Sequence, residues 1–248
     1  MKSKLLKLTA CGTLMIAFFL QSCIKEASTR LTTQQNFSSN SLIRVFVATV
    51  NASRNYVYVD ANPVTGALLS SGSMFPAAGI YAANIQAGFR AFLVRDTSST
   101  TTQVPLSFAE NMEVNKNYSI FLYDTITSPK QKTVETRYLV STDLSDTSCG
   151  IRFANFIYST SNVPAIDIFS FNKNANIFTN VAVTDVTDFQ KYPTTRLMDD
   201  TLYIRQTGTL TNIIKVVTGR ILQPTRNYTL VYRGSDRGTR VATLFTDR

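Results

Sequence analysis

Short runs of β-branched and aromatic residues recur along the chain from residue 42 onward, with polar turns between them. The runs are rich in Val, Ile, Tyr, Phe and Thr, and the turns collect Asn, Asp, Ser, Pro and Gly, which is typical of strands. The predicted strands are 42–50, 56–60, 81–85, 90–95, 104–108, 118–123, 136–141, 151–158, 165–171, 201–206, 213–217, 228–233 and 239–245. About seven short strands per hundred residues, without a long amphipathic helix, predict an all-β chain of antiparallel β-sandwiches.

The chain also repeats itself. Three dipeptides recur in one order: Ile43-Arg44 and Ile151-Arg152, 108 residues apart; Asn117-Tyr118 and Asn227-Tyr228, 110 apart; Thr136-Arg137 and Thr239-Arg240, 103 apart. Offsets that differ only by the length of a loop favour a duplication. We therefore predict two tandem sandwiches, at 41–148 and 149–248, each about the size of an ordinary small domain.

The repeated tyrosine follows a polar turn in both copies. Tyr118 comes after residues 114–117, and Tyr228 comes after residues 224–227. A tyrosine at the start of a late strand is typical of a tyrosine corner, in which the hydroxyl bonds to the backbone a few residues upstream. The sequence therefore predicts this structural role for both tyrosines rather than a role in ligand binding.

The N-terminus has a different pattern. Lys2, Lys4 and Lys7 precede an apolar run of 13 residues, 8–20, which is shorter than the roughly 20 residues of a membrane-spanning helix. A charged start followed by a short apolar run is typical of a secretory signal peptide. We therefore expect residues 1–22 to be cleaved.

The end of this run, Leu20-Gln21-Ser22-Cys23, resembles the lipobox of bacterial lipoproteins. The resemblance implies that the thiol of Cys23 receives a diacylglycerol and that Cys23 becomes the mature N-terminus. Two acyl chains give a stable membrane anchor. The alternative is an ordinary secreted protein, for which a small residue would be expected at both −3 and −1.

Residues 23–40 then form the lipidated N-terminus and a tether. The 17 residues 24–40 are rich in Ser, Thr, Gln and Asn and have no apolar periodicity. A flexible coil of this length spans roughly 23 Å, enough to hold a folded domain clear of lipid headgroups.

The charge and the cysteine content argue against two features, a nucleic-acid partner and a disulfide bond. Without the three leader lysines, 22 basic and 16 acidic residues remain, and no run of five basic residues occurs, so nucleic acid is not a predicted partner. With Cys11 in the leader and Cys23 lipidated, Cys149 has no disulfide partner. Cys149 falls opposite Ser41 in the duplication, so we expect a small buried or junction residue.

Both copies resemble the immunoglobulin-like family called domain of unknown function 4397, found in extracytoplasmic bacterial proteins, often in tandem. The resemblance rests on residues 43–60 and 151–169, on the late strands 117–121 and 227–231, and on the linking segment 141–145. It implies two immunoglobulin-like sandwiches and carries no agreed activity.

Catalytic chemistry has little support in the sequence. The chain has no histidine, so a Ser-His-Asp triad, a Cys-His dyad and imidazole metal ligands are excluded. Paired carboxylates could still act as acid and base. The candidates are Asp143 with Asp146, Asp185 with Asp188, and Asp199 with Asp200. Each pair lies in a polar connection, so we interpret them as solvated loop residues and predict neither a cofactor nor a metal.

Surface recognition remains open. Sugars stack on exposed aromatic rings, and Tyr56, Tyr58, Tyr158 and Phe171 flank loops at one predicted end of the sandwiches. Two segments, at Thr125 and Thr201, resemble a short bacterial O-glycosylation acceptor, in which Asp precedes the hydroxyl residue and an apolar residue follows it.

The first functional hypothesis is a non-catalytic lipoprotein of the cell envelope that serves as a binding, adhesion or spacer module. One alternative is a glycan-binding lipoprotein that assists nutrient uptake at the outer membrane, and another is a carboxylate-dependent hydrolase. The expected partners are membrane lipid, through Cys23, and an envelope protein or glycan. We expect the chain to be anchored in the outer membrane, on either the periplasmic face or the cell surface.

Overall fold

The computed structural model describes residues 39–78, 82–141, 143, 145–194, 199–219 and 222–247, and the 17 regular elements in these ranges are all strands. The all-β prediction is confirmed. The predicted signal peptide, Cys23 and the tether up to residue 38 lie outside the described residues. Within the described ranges, no helix has the length and apolar character needed to cross a membrane.

Nine strands form the first sandwich: β1 (Asn40–Val47), β2 (Asn55–Val59), β3 (Asn62–Pro63), β4 (Met74–Phe75), β5 (Ala83–Gln86), β6 (Gly88–Asp96), β7 (Leu106–Met112), β8 (Asn117–Thr125) and β9 (Ser128–Glu135). Its first sheet has the order β4-β1-β8-β9, with β5 also paired to β1, and its second has the order β3-β2-β6-β7. The strands β1 and β8 are parallel, so the first of these sheets is mixed.

Eight strands form the second sandwich: β10 (Ser148–Tyr158), β11 (Ile166–Ser170), β12 (Ala175–Val181), β13 (Gln190–Pro193), β14 (Thr201–Gln206), β15 (Asn212–Val217), β16 (Asn227–Ser235) and β17 (Arg240–Thr246). One sheet has the order β13-β10-β16-β17 and the other β12-β11-β14-β15. Here β10 and β16 are the parallel pair.

Two of the three repeated dipeptides occupy equivalent positions. Ile43 of β1 pairs with Tyr118 of β8, and Ile151 of β10 pairs with Tyr228 of β16. The two sandwiches therefore share one strand register as well as one strand order at these positions.

The third repeated dipeptide was aligned wrongly. The segment 136–141 is not a strand, because the last strand of the first sandwich is β9, which ends at Glu135. The amide of Thr136 donates to the carbonyl of Asn117, and the amide of Asp247 donates in the same way to the carbonyl of Asn227. The counterpart of Thr136 is therefore Asp247 and not Thr239.

The strands β1 and β10 are buried on both faces, which explains their nearly continuous apolar sequences. On one face each strand packs into the core of its own sandwich. On the other face, both contribute to a third apolar cluster: Phe46, Ala48, Phe121, Ala154, Phe156, Val231 and Phe245. The sheets containing β1 and β10 therefore pack face to face, and we call them the inner sheets. The other two are the outer sheets.

Aromatic rings fill the contact between the inner sheets. Phe46 stacks on Phe245 with ring centroids 5.4 Å apart, and Phe121 stacks on Phe156 at 4.8 Å. The order of layers is therefore outer, inner, inner, outer. Each outer sheet has one face on a core and one face directed away from the rest of the described chain.

A buried charge cluster lies in the same contact. Arg44 donates from Nη2 to the carbonyl of Asp247 at 2.9 Å, and Arg152 donates to Ser119 Oγ at 2.7 Å. Each arginine thus reaches from its own sandwich into the other. The carboxylate of Asp247 lies 3.7 Å from Arg44 and 3.5 Å from Arg152, and all three side chains are at most 3% exposed. Burial lowers the pKa of the Arg152 guanidinium, and the Asp247 carboxylate offsets part of this decrease.

Both tyrosine corners are present. The backbone amide of Glu113 donates to the Tyr118 hydroxyl at 3.1 Å, and the amide of Gln223 donates to the Tyr228 hydroxyl at 2.8 Å. In both copies the donor lies five residues upstream of the tyrosine. The predicted role is confirmed, with the hydroxyl acting as the acceptor.

The small-residue prediction for Cys149 is also confirmed. Cys149 is 2% exposed, and Ser41 at the equivalent position is fully buried. Burial raises the pKa of the Cys149 thiol to about 12. A thiol with so high a pKa is a poor nucleophile at neutral pH.

Candidate binding surface

The outward faces of the outer sheets carry aromatic rings. In β2, Val57 and Val59 point into the core, so Tyr56 and Tyr58 point outward. In β11, Ile166 and Ile168 point inward, so Phe169 points outward. This follows from the alternation of side chains along a strand.

In the second sandwich, an arginine lies over the rings of Phe169 and Tyr203. The Arg205 guanidinium of β14 is 3.8 Å from the centre of the Phe169 ring and 5.5 Å from that of Tyr203. The two rings are 6.5 Å apart and tilted by 40°. Arg205 Nε donates to Asn212 Oδ1 at 2.7 Å, which fixes the guanidinium above the rings.

The first sandwich has the same arrangement. The Arg95 guanidinium of β6 lies 5.0 Å from the centre of the Tyr58 ring, and its Nη2 donates to the Tyr58 hydroxyl at 3.3 Å. Tyr56 lies beside Tyr58, with ring centroids 6.3 Å apart. Cation–π contacts of this kind favour arginine at exposed sites by about 0.5 to 1 kcal/mol.

The two arrangements occupy equivalent positions. Arg95 pairs in register with Tyr56 and leans diagonally over Tyr58, two residues further along β2. Arg205 pairs in register with Asp167 and leans diagonally over Phe169, two residues further along β11. We call the Arg95–Tyr58 and Arg205–Phe169–Tyr203 groups the two arginine shelves.

Among the described residues the shelf arginines form no ion pair, as is also true of Arg226, Arg233 and Arg237, whereas several other surface arginines do. Four other exposed or partly exposed arginines form ion pairs with carboxylates: Arg54, Arg90, Arg137 and Arg240. Within the described ranges, no carboxylate comes within ion-pair distance of Arg95 or Arg205. Their positive charges are therefore available to an external anion.

Asp167 is the carboxylate nearest in register to Arg205, and its hydrogen bonds lie elsewhere. It is 5% exposed and accepts from the Asn180 amide at 2.8 Å, Thr207 Oγ1 at 2.8 Å and Asn176 Nδ2 at 3.1 Å. These hydrogen bonds stabilise the buried carboxylate and hold β12 and the turn after β14 against β11.

Asp200 fixes the turn that carries Phe171. Its carboxylate accepts from Ser170 Oγ at 2.5 Å, from the Asn172 amide at 2.9 Å and from the Tyr192 hydroxyl. Phe171 is 63% exposed at this anchored turn. The interpretation of Asp200 as a solvated loop residue was wrong, because the side chain is 4% exposed and its hydrogen bonds are structural.

The other carboxylate pairs remain at the surface. Asp143 accepts from Ser145, and its pKa is lowered by that hydrogen bond. Asp146 accepts from Ser148 and Lys191, and these hydrogen bonds lower its pKa strongly. A general acid needs a raised pKa, so this pair is unsuited to that role. Asp185 and Asp188 are exposed.

The remaining predicted site residues are dispersed. Thr125 ends β8 at the hairpin to β9 and is partly exposed, whereas Thr201 lies in β14, between β11 and β15, directly after buried Asp200. Tyr158 ends β10 of an inner sheet, away from the shelves. Among the described residues, no group of three Cys, Asp or Glu side chains could hold a metal ion.

The shelf arginines were missed by the sequence analysis. Arg205 is the one charge in its strand and Arg95 is one of three in β6, and both look like ordinary outward-facing positions. Their spacing of 110 residues, the same as that of the two tyrosine corners, is the signal that identifies them. A scan of protein-family models finds no match to this chain, and a search of curated proteins finds no match either.

Proposed function

We propose that this chain is a non-catalytic lipoprotein of the bacterial cell envelope that acts as a binding module. The observation that supports it most directly is the repetition of an exposed arginine shelf on both outer sheets. Arg95 and Arg205 recur at the offset of the duplication and have no carboxylate partner among the described residues. Exposed, repeated and uncompensated groups favour a role in recognition.

The anchor in this proposal is a lipid on Cys23, and the membrane is the outer membrane. The test is metabolic labelling with palmitate and fractionation of cells that produce the wild-type chain or Cys23→Ala. We expect label and membrane association in the wild type and loss of both in the variant. Membrane association of an unlabelled Cys23→Ala chain would contradict the lipid anchor. Protease treatment of whole cells then distinguishes the surface from the periplasmic face.

A second candidate is a glycan-binding lipoprotein that assists nutrient uptake. The exposed ring of Phe171 and the partly exposed rings of Phe169 and Tyr203, on and beside one outer sheet, favour it, because sugars present apolar C–H faces that pack on aromatic side chains. The test is a glycan array probed with the wild type and with Phe171→Ala. We expect selective signal that weakens in this variant. Leu210→Ala is the control, since Leu210 is another strongly exposed apolar side chain.

A further inference from the structure

We propose that each arginine shelf is a binding site for the carboxylate groups of an acidic polysaccharide, and that one chain engages two separate polymer segments. This inference rests on the proposed binding function and names its ligand class. The first site is centred on Arg95 and the second on Arg205.

Both shelf arginines have N–H groups that no described acceptor uses. Arg205 uses Nε for Asn212, and within the described residues its two Nη groups donate no hydrogen bond. Arg95 uses Nη2 for the Tyr58 hydroxyl, and no described acceptor takes its other nitrogens. A guanidinium fixed on a ring and left with free N–H groups is suited to a planar carboxylate, which it binds through two parallel hydrogen bonds.

The surrounding side chains favour an anion over a neutral or cationic group. Lys215 of β15 pairs in register with Tyr203 and is exposed, so it adds a second positive charge beside Arg205. Asp167, on the neighbouring strand, is buried and accepts hydrogen bonds from four donors. In the first sandwich, Asp96 lies 3.3 Å from Arg54 in an ion pair. The nearest carboxylate at each shelf is thus held by partners of its own, and Lys215 adds positive charge at the second shelf.

The aromatic rings narrow the class of anion. A uronic acid combines a carboxylate with a sugar ring whose C–H groups pack on apolar surface. Tyr56 lies beside Tyr58, and Tyr203 lies beside Phe169 and further from the Arg205 guanidinium than Phe169 does, with ring centroids 6.3 and 6.5 Å apart. One sugar residue thus fits on a shelf with its carboxylate on the arginine and its ring on the adjoining aromatic side chain.

The order of the sheets places the two sites on opposite sides of the folded part. The outer sheets lie on either side of the two inner sheets, and each shelf is on the face directed away from them. A short oligosaccharide cannot contact both shelves. Each chain therefore binds two oligosaccharides, and in the envelope it joins two polymer segments.

The test is titration calorimetry of the full chain with an oligogalacturonate, using a neutral galacto-oligosaccharide of equal length as the control ligand. We expect two oligogalacturonates per wild-type chain, one for Arg95→Gln, one for Arg205→Gln and none for the double variant. Affinity at a substituted shelf falls by roughly tenfold or more, as expected for loss of a charged hydrogen-bonded pair. Arg237→Gln, which removes an exposed arginine from the β16–β17 turn, keeps both sites.

The Arg205→Lys variant distinguishes the contribution of the planar guanidinium group to binding from that of its positive charge. It retains the positive charge without the planar fork, so we expect binding at the second shelf to be lost. Wild-type binding by Arg205→Lys, or equal losses in Arg237→Gln, would overturn the inference in favour of unspecific charge attraction. Circular dichroism of each variant verifies that the fold is retained.

The outcomes also separate this inference from the proposals on which it rests. Binding of the neutral oligosaccharide alone overturns the acidic ligand and leaves the glycan candidate standing. Failure of both oligosaccharides to bind overturns this inference, whereas the glycan candidate is decided by the glycan array with Phe171→Ala. The fractionation of Cys23→Ala is independent of these titrations, so failure of the membrane anchor is recognised separately.

Discussion

Each sandwich carries two repeated arginines, and the inner and outer pairs have opposite environments. Arg44 and Arg152 lie between the inner sheets, nearly inaccessible to solvent and within 4 Å of the Asp247 carboxylate. Arg95 and Arg205 lie on the outer sheets, partly or fully exposed, over aromatic rings and without a carboxylate partner among the described residues. One duplication has thus placed the same residue type in two different physical roles.

The comparison of the inner and outer arginines shows which partners a buried charge needs. A guanidinium removed from water needs a counter-charge and hydrogen-bond acceptors, or its desolvation opposes folding. The inner pair receives them from Asp247, Ser119 and Thr229. The outer pair remains solvated and needs no such partner. The inner arginines therefore join the two sandwiches, whereas the outer ones are available to ligands.

The two sandwiches differ at one inner position. A substitution at this position should have the largest effect on stability. Asp247 occupies the position that Thr136 has in the first sandwich, so a single carboxylate serves two arginines. We expect Asp247→Ala to lower the free energy of unfolding by about 3 to 5 kcal/mol, because two buried guanidinium groups lose their counter-charge. Urea denaturation followed by circular dichroism measures the loss.

The matched control is Asp236→Ala. Asp236 pairs with Arg240 at the surface, at 2.8 Å, and exposed pairs contribute only about 0 to 1 kcal/mol. Equal losses in the two variants would contradict the distinction between inner and outer charges. Replacement of Arg44, Arg152 and Asp247 together by apolar residues of similar volume should recover much of the lost stability, because no buried charge then remains.

The tyrosine corners give a second, smaller contrast between the sandwiches. Tyr228 is 1% exposed, whereas Tyr118 is partly exposed, although both accept a backbone hydrogen bond. We expect Tyr228→Phe to cost about 1 to 3 kcal/mol, because a partly buried amide loses its acceptor. Tyr118→Phe should cost less, because water replaces the hydroxyl at Glu113. Urea midpoints of the two variants decide the order, and a larger loss for Tyr118→Phe would contradict it.

Much of the fold could be predicted from the sequence because the buried strands carry a strong pattern. The parallel pairs β1–β8 and β10–β16 have long β-branched and aromatic runs, and they supplied both correct repeat landmarks. The strands that were missed are β3, β4, β9, β12 and β13. β9, β12 and β13 lie at sheet edges, and each is interrupted by several polar residues, so their sequences resemble those of loops.

Less of the candidate site was predictable. Arg44 and Arg152 were found as landmarks, but their contact with Asp247 joins residues about 100 to 200 positions apart, and no local pattern encodes such packing. Arg95 and Arg205 appear as ordinary outward-facing charges. Their diagonal contact with a ring, repeated in both sandwiches, and the absence of an ion pair among the described residues separate them from the ion-paired arginines nearby.

A third test concerns Asp146, a partly buried carboxylate near the start of the second sandwich. Asp146 accepts from Ser148 and from Lys191 at 2.9 Å, and these hydrogen bonds hold its pKa below the usual 3.8. A carboxyl group with a lowered pKa stabilises the folded state above the unfolded pKa, and this contribution is lost as the pH falls toward the folded value. The stability difference between wild type and Asp146→Asn should therefore narrow between about pH 6 and about pH 2. A difference that grows on acidification in urea titrations would contradict this sign.

The smallest effect on folding is expected at the shelves themselves. Arg205→Gln removes cation–π contacts with Phe169 and Tyr203, each contributing about 0.5 to 1 kcal/mol at an exposed site, and the hydrogen bond to Asn212, but it leaves no buried charge behind. The urea midpoint should thus change little, and Arg95→Gln should behave in the same way. A loss as large as that of Asp247→Ala would mean that Arg205 holds the outer sheet together and would remove the reason to assign it a ligand. A small loss of stability combined with the loss of one oligogalacturonate site would instead separate recognition from folding, since the same substitution would affect binding strongly and stability weakly.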